Sequence, residues 1–96
     1  MDIHTASEQI KPILMKYSVK RASLFGSIVR GTMNKDSDVD ILVELPEKAT
    51  LFDMLGVKLD LEEKLGRKVD VVEYEGIKPA LKKEILSHQV IIYQHQ

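Results

Sequence analysis

Cysteine and tryptophan are absent from this 96-residue sequence, and only five of its residues are aromatic. Without cysteine, the chain has no disulfides, no thiolate metal ligands and no thiol nucleophile. Few aromatic rings leave little for the stacking platforms that hold single-stranded nucleic acid. The chain also lacks an excess of charge of either sign, because it has 14 basic and 15 acidic residues. Direct binding to nucleic acid is therefore not expected.

Long hydrophobic runs are lacking as well. No apolar stretch approaches the roughly 20 residues that cross a bilayer, and the first four residues do not open a signal peptide. With 44% hydrophobic and 30% charged residues, the composition is typical of a globular protein. We therefore expect one domain spanning residues 1–96, a cytoplasmic location and no contact with membranes.

Apolar periodicity predicts four helices, at residues 5–17, 27–30, 50–65 and 79–88. Thr5 and Glu8 fit a capping box for the first helix, and Pro12 should kink or restart it. The apolar side of the third helix is expected to consist of Leu51, Met54 or Leu55, Leu59 and Leu65. Gly66 is suited to end that helix.

Strands are predicted at residues 21–25, 38–45, 68–72 and 89–93. The second strand alternates, with Val39, Ile41 and Val43 on one face and the aspartates 38 and 40 on the other. The order of elements indicates an α/β (α+β) fold, with a small mixed sheet of three to four strands flanked by helices.

Two short motifs point to chemistry. Ten residues separate Gly26-Ser27 from Asp38-Val39-Asp40, which joins a turn suited to phosphate to a pair of carboxylates suited to a divalent metal. The turn lies at the end of strand one and the carboxylates at the start of strand two. One ligand can touch both only if these strands are antiparallel, whereas the intervening helix permits strand three to run parallel to strand two.

The carboxylates of Asp38 and Asp40 leave the same strand face about 6–7 Å apart, so they repel each other unless a cation or proton lies between them. An EF-hand is excluded because Ile41 stands where its loop requires glycine, and a strand follows. Asp70, inside a β-branched run, is the candidate third ligand. Two Mg²⁺ ions could then be bridged by Asp38 and Asp40, with Asp70 assisting deprotonation of an attacking hydroxyl.

Four further residues are candidates for binding the nucleotide. Gly26 lets the backbone approach a phosphate, and Ser27 offers its hydroxyl and an amide. Arg30 could reach phosphate oxygens or could equally pair with one of the neighbouring aspartates. Ser37 is a candidate for capping or orienting the acidic strand.

The chain resembles the minimal nucleotidyltransferases of the DNA polymerase β superfamily. The matching residues are the stretch from Leu24 to Gly31, the stretch from Ser37 to Val43 and the later Asp70. The resemblance extends over nearly the whole chain. It implies that Asp38, Asp40 and Asp70 bind Mg²⁺ and that Gly26-Ser27 holds the phosphates of ATP. All of these positions are intact.

The same resemblance implies a biological role. Such small nucleotidyltransferases are typically the antitoxins of HEPN ribonuclease toxins and transfer AMP from ATP to a tyrosine of the toxin. Only about 26 residues follow Asp70, so we expect the acceptor to come from a macromolecular partner. Two alternatives stay open: an antitoxin that neutralises its partner by binding alone, and the catalytic subunit of a small-molecule nucleotidyltransferase. A homodimer and a hetero-oligomer with the toxin are both compatible with the sequence.

Overall fold

The computed structural model describes residues 1–95, which form a four-stranded sheet with helices. In chain order the elements are α1 (Ile3–Lys16), β1 (Arg21–Phe25), α2 (Ser27–Arg30), β2 (Val39–Glu44), α3 (Leu51–Leu65), β3 (Val69–Glu73), a 3₁₀ turn (Tyr74–Gly76), α4 (Pro79–Ser87) and β4 (Val90–Gln94). Each predicted helix and strand is present, with boundaries that differ by a few residues. None of the helices in residues 1–95 has the length and apolar character of a bilayer-crossing segment.

The strands lie in the order β3-β2-β1-β4. β1 pairs antiparallel with both β2 and β4, and β2 pairs parallel with β3. The mixed sheet predicted from the shared-ligand argument is therefore confirmed, including the antiparallel arrangement of strands one and two. β4 joins the free side of β1 and leaves the β1–β2–β3 arrangement unchanged.

One face of the sheet is buried against α1 and α3. The alternation of β2 is confirmed, since Val39, Ile41 and Val43 are all fully buried on this face. Ile10 and Leu14 of α1 are fully buried in the same cluster, and each such side chain contributes about 1.5–3 kcal/mol on burial. This packing holds β1, β2 and β3 together. On the opposite face of β2, Leu42 is also fully buried, whereas Asp40 is half-buried and stays available for a site.

The first helix begins earlier than predicted. Asp2 is its N-cap, because a side-chain oxygen of Asp2 accepts the backbone N–H of Thr5 at 2.7 Å. The Thr5 capping box is therefore wrong: an acidic cap three residues upstream satisfies that amide first. The helix also continues through Pro12 as one element and does not restart there.

The apolar side predicted for α3 is right at Leu65 and wrong at Leu51, Leu55 and Leu59. Leu51, Leu55 and Leu59 are exposed, at 84%, 48% and 52%, whereas Val57, Leu61 and Leu65 are the buried residues of the helix. Both sets have helical spacing, and only the second lies against the sheet. The end of the helix is as predicted, with Gly66 in the left-handed conformation.

Candidate active site

The glycine turn and the acidic strand meet where β1 ends and β2 begins. Phe25, the last residue of β1, is the register partner of Asp40, and Gly26 follows it directly. A β-carbon added at Gly26 would collide with Oδ2 of Asp40 and lie 3.1 Å from its Cγ. Only a residue without a side chain lets this carboxylate lie against the turn.

The backbone of the turn gives a second reason for glycine. Gly26 has φ +75° and ψ −147°, a conformation that residues with a β-carbon almost never adopt. The Gly26 carbonyl accepts the amides of Val29 and Arg30, each at 3.1 Å, which closes the single turn of α2. The first amides of a helix have no partner within it, so those of Ser27 and Ile28 can donate to an anion.

Asp70 joins this arrangement through the parallel pairing of β2 and β3. It is the second residue of β3 and the register partner of Asp40, so the two carboxylates leave the same face of strands about 4.8 Å apart. Asp38 lies immediately before β2. The fold thus brings together the three acidic residues and the glycine turn that the sequence predicted from separate segments.

Burial and like charges raise the pKa of Asp40 above its usual value. The largest cause is burial of its carboxylate, followed by the negative charges of Asp70 and Asp38, while the positive charge of Arg30 acts in the opposite direction. Asp38 and Asp70 are exposed, and Asp40 is half-buried. Three acidic groups therefore repel one another at one surface of the molecule, and a cation would relieve that repulsion.

The donor chemistry of the three aspartates fits a hard divalent cation such as Mg²⁺, which prefers carboxylate oxygens. Nevertheless, in residues 1–95 no three acidic, histidine or cysteine side chains are already grouped closely enough to hold an ion. Since Asp38 and Asp70 are exposed, their side chains can rotate toward Asp40. The backbone therefore supplies the arrangement, and completing a metal site requires side-chain movement.

Arg30 and Ser37 occupy different positions at the edge of this site. Arg30 is exposed and belongs to none of the four ion pairs formed within the described residues, so the alternative of pairing with Asp36 or Asp38 is not observed. Ser37 caps the loop before β2, because its Oγ accepts the Asn34 amide at 3.0 Å. Their contact with a nucleotide stays a prediction.

Other acidic residues of β3 and the following turn lie toward the opposite end of the strand from Asp70. Glu73 is the last residue of β3, one residue beyond the predicted end of that strand, and pairs with Val43 near the far end of β2. Glu73 and Glu75 line a cleft of about 500 Å³ at that end of the sheet, together with Arg21, Glu44 and Tyr74 among others. This cleft includes none of the three aspartates.

Two contacts that connect the segments carrying the site could not be seen in the sequence. The buried hydroxyl of Ser23 forms a hydrogen bond with the hydroxyl of Tyr74, which ties β1 to the segment after β3. Arg67 donates to main-chain carbonyls in the loop before β2. Neither pair forms a motif, because 51 residues separate the first pair and at least 30 the second.

Comparison with known proteins identifies the family. The family described as "Polymerase beta, Nucleotidyltransferase" matches residues 8–96, a range that contains the glycine turn and all three aspartates. The chain belongs to this family. The resemblance drawn from the two short motifs is therefore confirmed, and the enzyme class is that of a polymerase beta nucleotidyltransferase.

Two relatives carry more specific names. A "Putative protein adenylyltransferase" of Methanocaldococcus jannaschii is 48% identical over 90 residues, covering 94% of this chain and 97% of that protein. The protein adenylyltransferase MntA of Thermococcus cleftensis is 35% identical over 82 residues, covering 85% of this chain and 83% of that protein. The similarity thus extends over almost the full length of the first relative and over most of the second.

Solved structures confirm the fold. A structure described as a "putative minimal nucleotidyltransferase" has a TM-score of 0.80 at 35% identity and covers 94% of this chain and 95% of its own. A chain of the structure described as "tri-AMPylated Shewanella oneidensis HEPN toxin in complex with MNT antitoxin" aligns with a TM-score of 0.73 at 18% identity, over 97% of this chain and 73% of the solved chain. The mixed sheet flanked by helices is therefore the minimal nucleotidyltransferase fold.

Proposed function

We propose that this polymerase beta nucleotidyltransferase transfers AMP from ATP to a hydroxyl, with tyrosine as the expected acceptor, of a HEPN-type toxin and thereby acts as its antitoxin. The observation that supports the chemistry is the meeting of Gly26, Asp40 and Asp70 across three adjacent strands. The Thermococcus relative, named as a protein adenylyltransferase, supports a protein acceptor. The class of partner is suggested by the Shewanella complex of HEPN toxin and MNT antitoxin, one chain of which shares the fold.

In this proposal Asp38, Asp40 and Asp70 hold two Mg²⁺ ions beside the glycine turn. When bound, Mg²⁺ supplies positive charge to the phosphates and lowers the pKa of a coordinated hydroxyl. Gly26 lets the triphosphate approach the backbone, and the hydroxyl and amide of Ser27 donate to phosphate oxygens. Arg30 and Ser37 lie at the rim, where Arg30 adds a positive charge toward the phosphates.

The reaction exchanges one oxygen for another at the α-phosphorus. The acceptor oxygen forms a bond to that phosphorus, the bond from the phosphorus to the departing oxygen breaks, and pyrophosphate leaves. The proton of the acceptor hydroxyl passes to Asp70, which is exposed and adjacent to Asp40 in the register. Asp40 keeps its orientation because Gly26 leaves room for it.

A transfer assay tests this function. The chain is incubated with ATP labelled on the α-phosphate, Mg²⁺ and a candidate HEPN-type protein from the same organism, and the label on protein is measured. We expect labelled HEPN protein with the wild-type chain and background label with the variant D38N/D40N. The matched control is D36N, which removes one exposed carboxylate from the same loop and should retain transfer.

Growth in the presence of the toxin distinguishes the alternatives. Loss of neutralisation by D38N/D40N supports catalysis. Full neutralisation by this variant, with unchanged binding to the toxin, would contradict the proposal and favour occlusion. Label on a small metabolite in place of the HEPN protein would contradict it in favour of a small-molecule nucleotidyltransferase.

A further inference from the structure

Arg67 connects the two loops that lead into the acidic strands. It lies between Gly66, at the end of α3, and the start of β3. Its Nη1 atom donates to the carbonyl oxygens of Asn34 and Ser37, each at 3.1 Å. Because Asp38 follows Ser37 directly, the guanidinium is bonded to the peptide group that precedes this aspartate.

The loop held by Arg67 is a closed turn. The Asn34 amide donates to Ser37 Oγ at 3.0 Å, and the Ser37 amide donates back to the Asn34 carbonyl at 3.1 Å. The Asp36 amide donates to the side chain of Asn34 at 2.8 Å. These bonds fix the shape of the turn, but they do not fix its position against the rest of the molecule.

Two contacts set that position on the β3 side. The first is the hydrogen bond from the Val39 amide to the Lys68 carbonyl at 3.0 Å. The second is the pair of hydrogen bonds from Arg67 to the carbonyls of Asn34 and Ser37, which precede β2 in the chain. Within residues 1–95 no hydrogen bond holds the Asp38 carboxylate itself. The location of this carboxylate therefore depends on its backbone, and the backbone depends on the neighbouring segment.

We propose that Arg67 is a positioning residue that keeps Asp38 beside Asp40 and Asp70 for metal binding. This inference rests on the proposed function of the three aspartates. A guanidinium is permanently charged and presents donors in a fixed plane, so it can bond both carbonyls at once. Lysine at this position keeps the charge but loses the planar geometry, and glutamine loses the charge.

The experiment compares R67Q, R67K and the control K68Q. Lys68 is the adjacent exposed cation, and K68Q removes one positive charge without removing the bonds to the loop. Amide hydrogen exchange over residues 34–37 is measured in the metal-free protein, and Mn²⁺ affinity is measured by calorimetry. Transfer kinetics and thermal unfolding complete the comparison.

We expect R67Q to speed exchange of the loop amides about tenfold and to weaken Mn²⁺ binding about 10- to 100-fold, as loss of partners that orient metal ligands does elsewhere. Its kcat should fall more than its KM for ATP changes. R67K should recover part of each effect, and K68Q should match the wild type. The unfolding midpoint of R67K reports whether the fold is intact.

If R67Q has the same Mn²⁺ affinity and the same loop exchange rates as the wild type, the inference about Arg67 is overturned. The proposed function would still stand in that case. An equal loss in R67Q and K68Q would also overturn the inference, because charge alone would then explain the effect. If the wild-type chain neither transfers AMP to any tested acceptor nor binds Mn²⁺, the proposed function and this inference are overturned together.

Discussion

At the scale of single residues, the site depends on a glycine and a carboxylate that touch. Gly26 has a positive φ and leaves no room for a β-carbon beside Asp40. Asp40 has a raised pKa because it is partly buried next to two other acids. Both features lower the stability of the fold, and both suit a site that binds a charged ligand. Catalytic positions commonly combine a function with a loss of stability in this way.

The first prediction concerns Gly26. G26A should destabilise the fold and abolish transfer, because the new methyl group meets the Asp40 carboxylate and the backbone conformation costs about 1–3 kcal/mol for a residue with a β-carbon. The control is G66A, at φ +69° with nothing within 4 Å of an added β-carbon. Gly66 also has a positive φ but lies in the left-handed helical region at ψ +26°, so alanine is less strained there and meets no collision.

Thermal unfolding and the transfer assay measure both variants. We expect a decrease in Tm of roughly 4–8 °C per kcal/mol, larger for G26A than for G66A, and transfer lost only in G26A. Equal Tm decreases with transfer retained in both variants would show that the contact between Gly26 and Asp40 has no role.

The second prediction concerns Asp40. Because its pKa is raised in the folded state, the folded chain binds this proton more tightly than the unfolded chain does. Stability therefore falls as the pH rises through the unfolded and then the folded pKa, and the full penalty is present at neutral pH. D40N removes the penalty, so it should raise Tm slightly at pH 7 while abolishing transfer.

The measurement is thermal unfolding in EDTA at pH 7 and at about pH 3, below the unfolded pKa of an aspartate. The stabilisation by D40N should be present at pH 7 and largely lost at the lower pH. D36N should leave Tm unchanged. A lower Tm for D40N at pH 7 would mean that the ionised carboxylate stabilises the metal-free fold, contrary to the direction of its pKa.

At the scale of helices and strands, side chains of α3 hold the start of β3. Glu62 accepts the Val69 amide at 3.0 Å, and Lys58 donates to the Val69 carbonyl at 2.9 Å and to Glu62 at 2.8 Å. Val69 directly precedes Asp70. This triangle satisfies backbone groups that an edge strand would otherwise leave open, and it fixes the strand that carries the third aspartate.

The third prediction follows from that triangle. The pKa of Glu62 is lowered, first by the hydrogen bond from Lys58 and then by the Val69 amide. Its contribution to stability is therefore present above the unfolded pKa and is lost as the pH falls through the folded pKa. E62Q should lower Tm at pH 7, and its difference from the wild type should be smaller at about pH 3, below the unfolded pKa of a glutamate.

The neighbouring exposed Glu63 supplies the control, since E63Q removes a charge from the same helix without touching β3. Exchange of the amides at 69–71 should increase in E62Q and stay unchanged in E63Q. The same Tm decrease at both pH values in E62Q would show that ionisation of Glu62 contributes nothing.

The buried face of a helix or strand can be predicted from the sequence where the apolar residues fit only one face. β2 alternates with period two, and its buried face was correctly assigned. α3 carries two apolar stripes, one through Leu51, Leu55 and Leu59 and one through Val57, Leu61 and Leu65. Hydrophobicity cannot distinguish them, because the choice depends on which stripe faces the sheet when the loops close.

Some residues of the acidic site could also be predicted from the sequence, and others could not. Asp38 and Asp40 were recognisable because both lie in one short segment after the glycine turn. Asp70 was recognisable as a charged residue inside a β-branched run, and the parallel pairing that brings it beside Asp40 is confirmed by the structure. Arg67 could not be found, since it binds carbonyl oxygens, and every residue in the chain has one.

At the scale of the whole molecule, the site exists only when the sheet is assembled. Asp40 and Asp70 lie on β2 and β3 and Gly26 directly follows β1, and the pairing of these strands also holds the core. The unfolded chain has no comparable arrangement. Binding of a nucleotide with its metal should therefore be coupled to global unfolding.

The fourth prediction is that ATP raises Tm only when a divalent ion is present. A ligand at a hundred times its Kd adds about 2.7 kcal/mol when it binds only the folded state, which for a domain of this size is roughly 10–20 °C in Tm. ATP with Mg²⁺ should give such a shift, and ATP with EDTA should give almost none, because the phosphates then meet three uncompensated carboxylates. D38N/D40N should lose the shift, while D36N keeps it. An undiminished shift in EDTA would show that the nucleotide binds without metal, and the three aspartates would then need a role other than holding Mg²⁺.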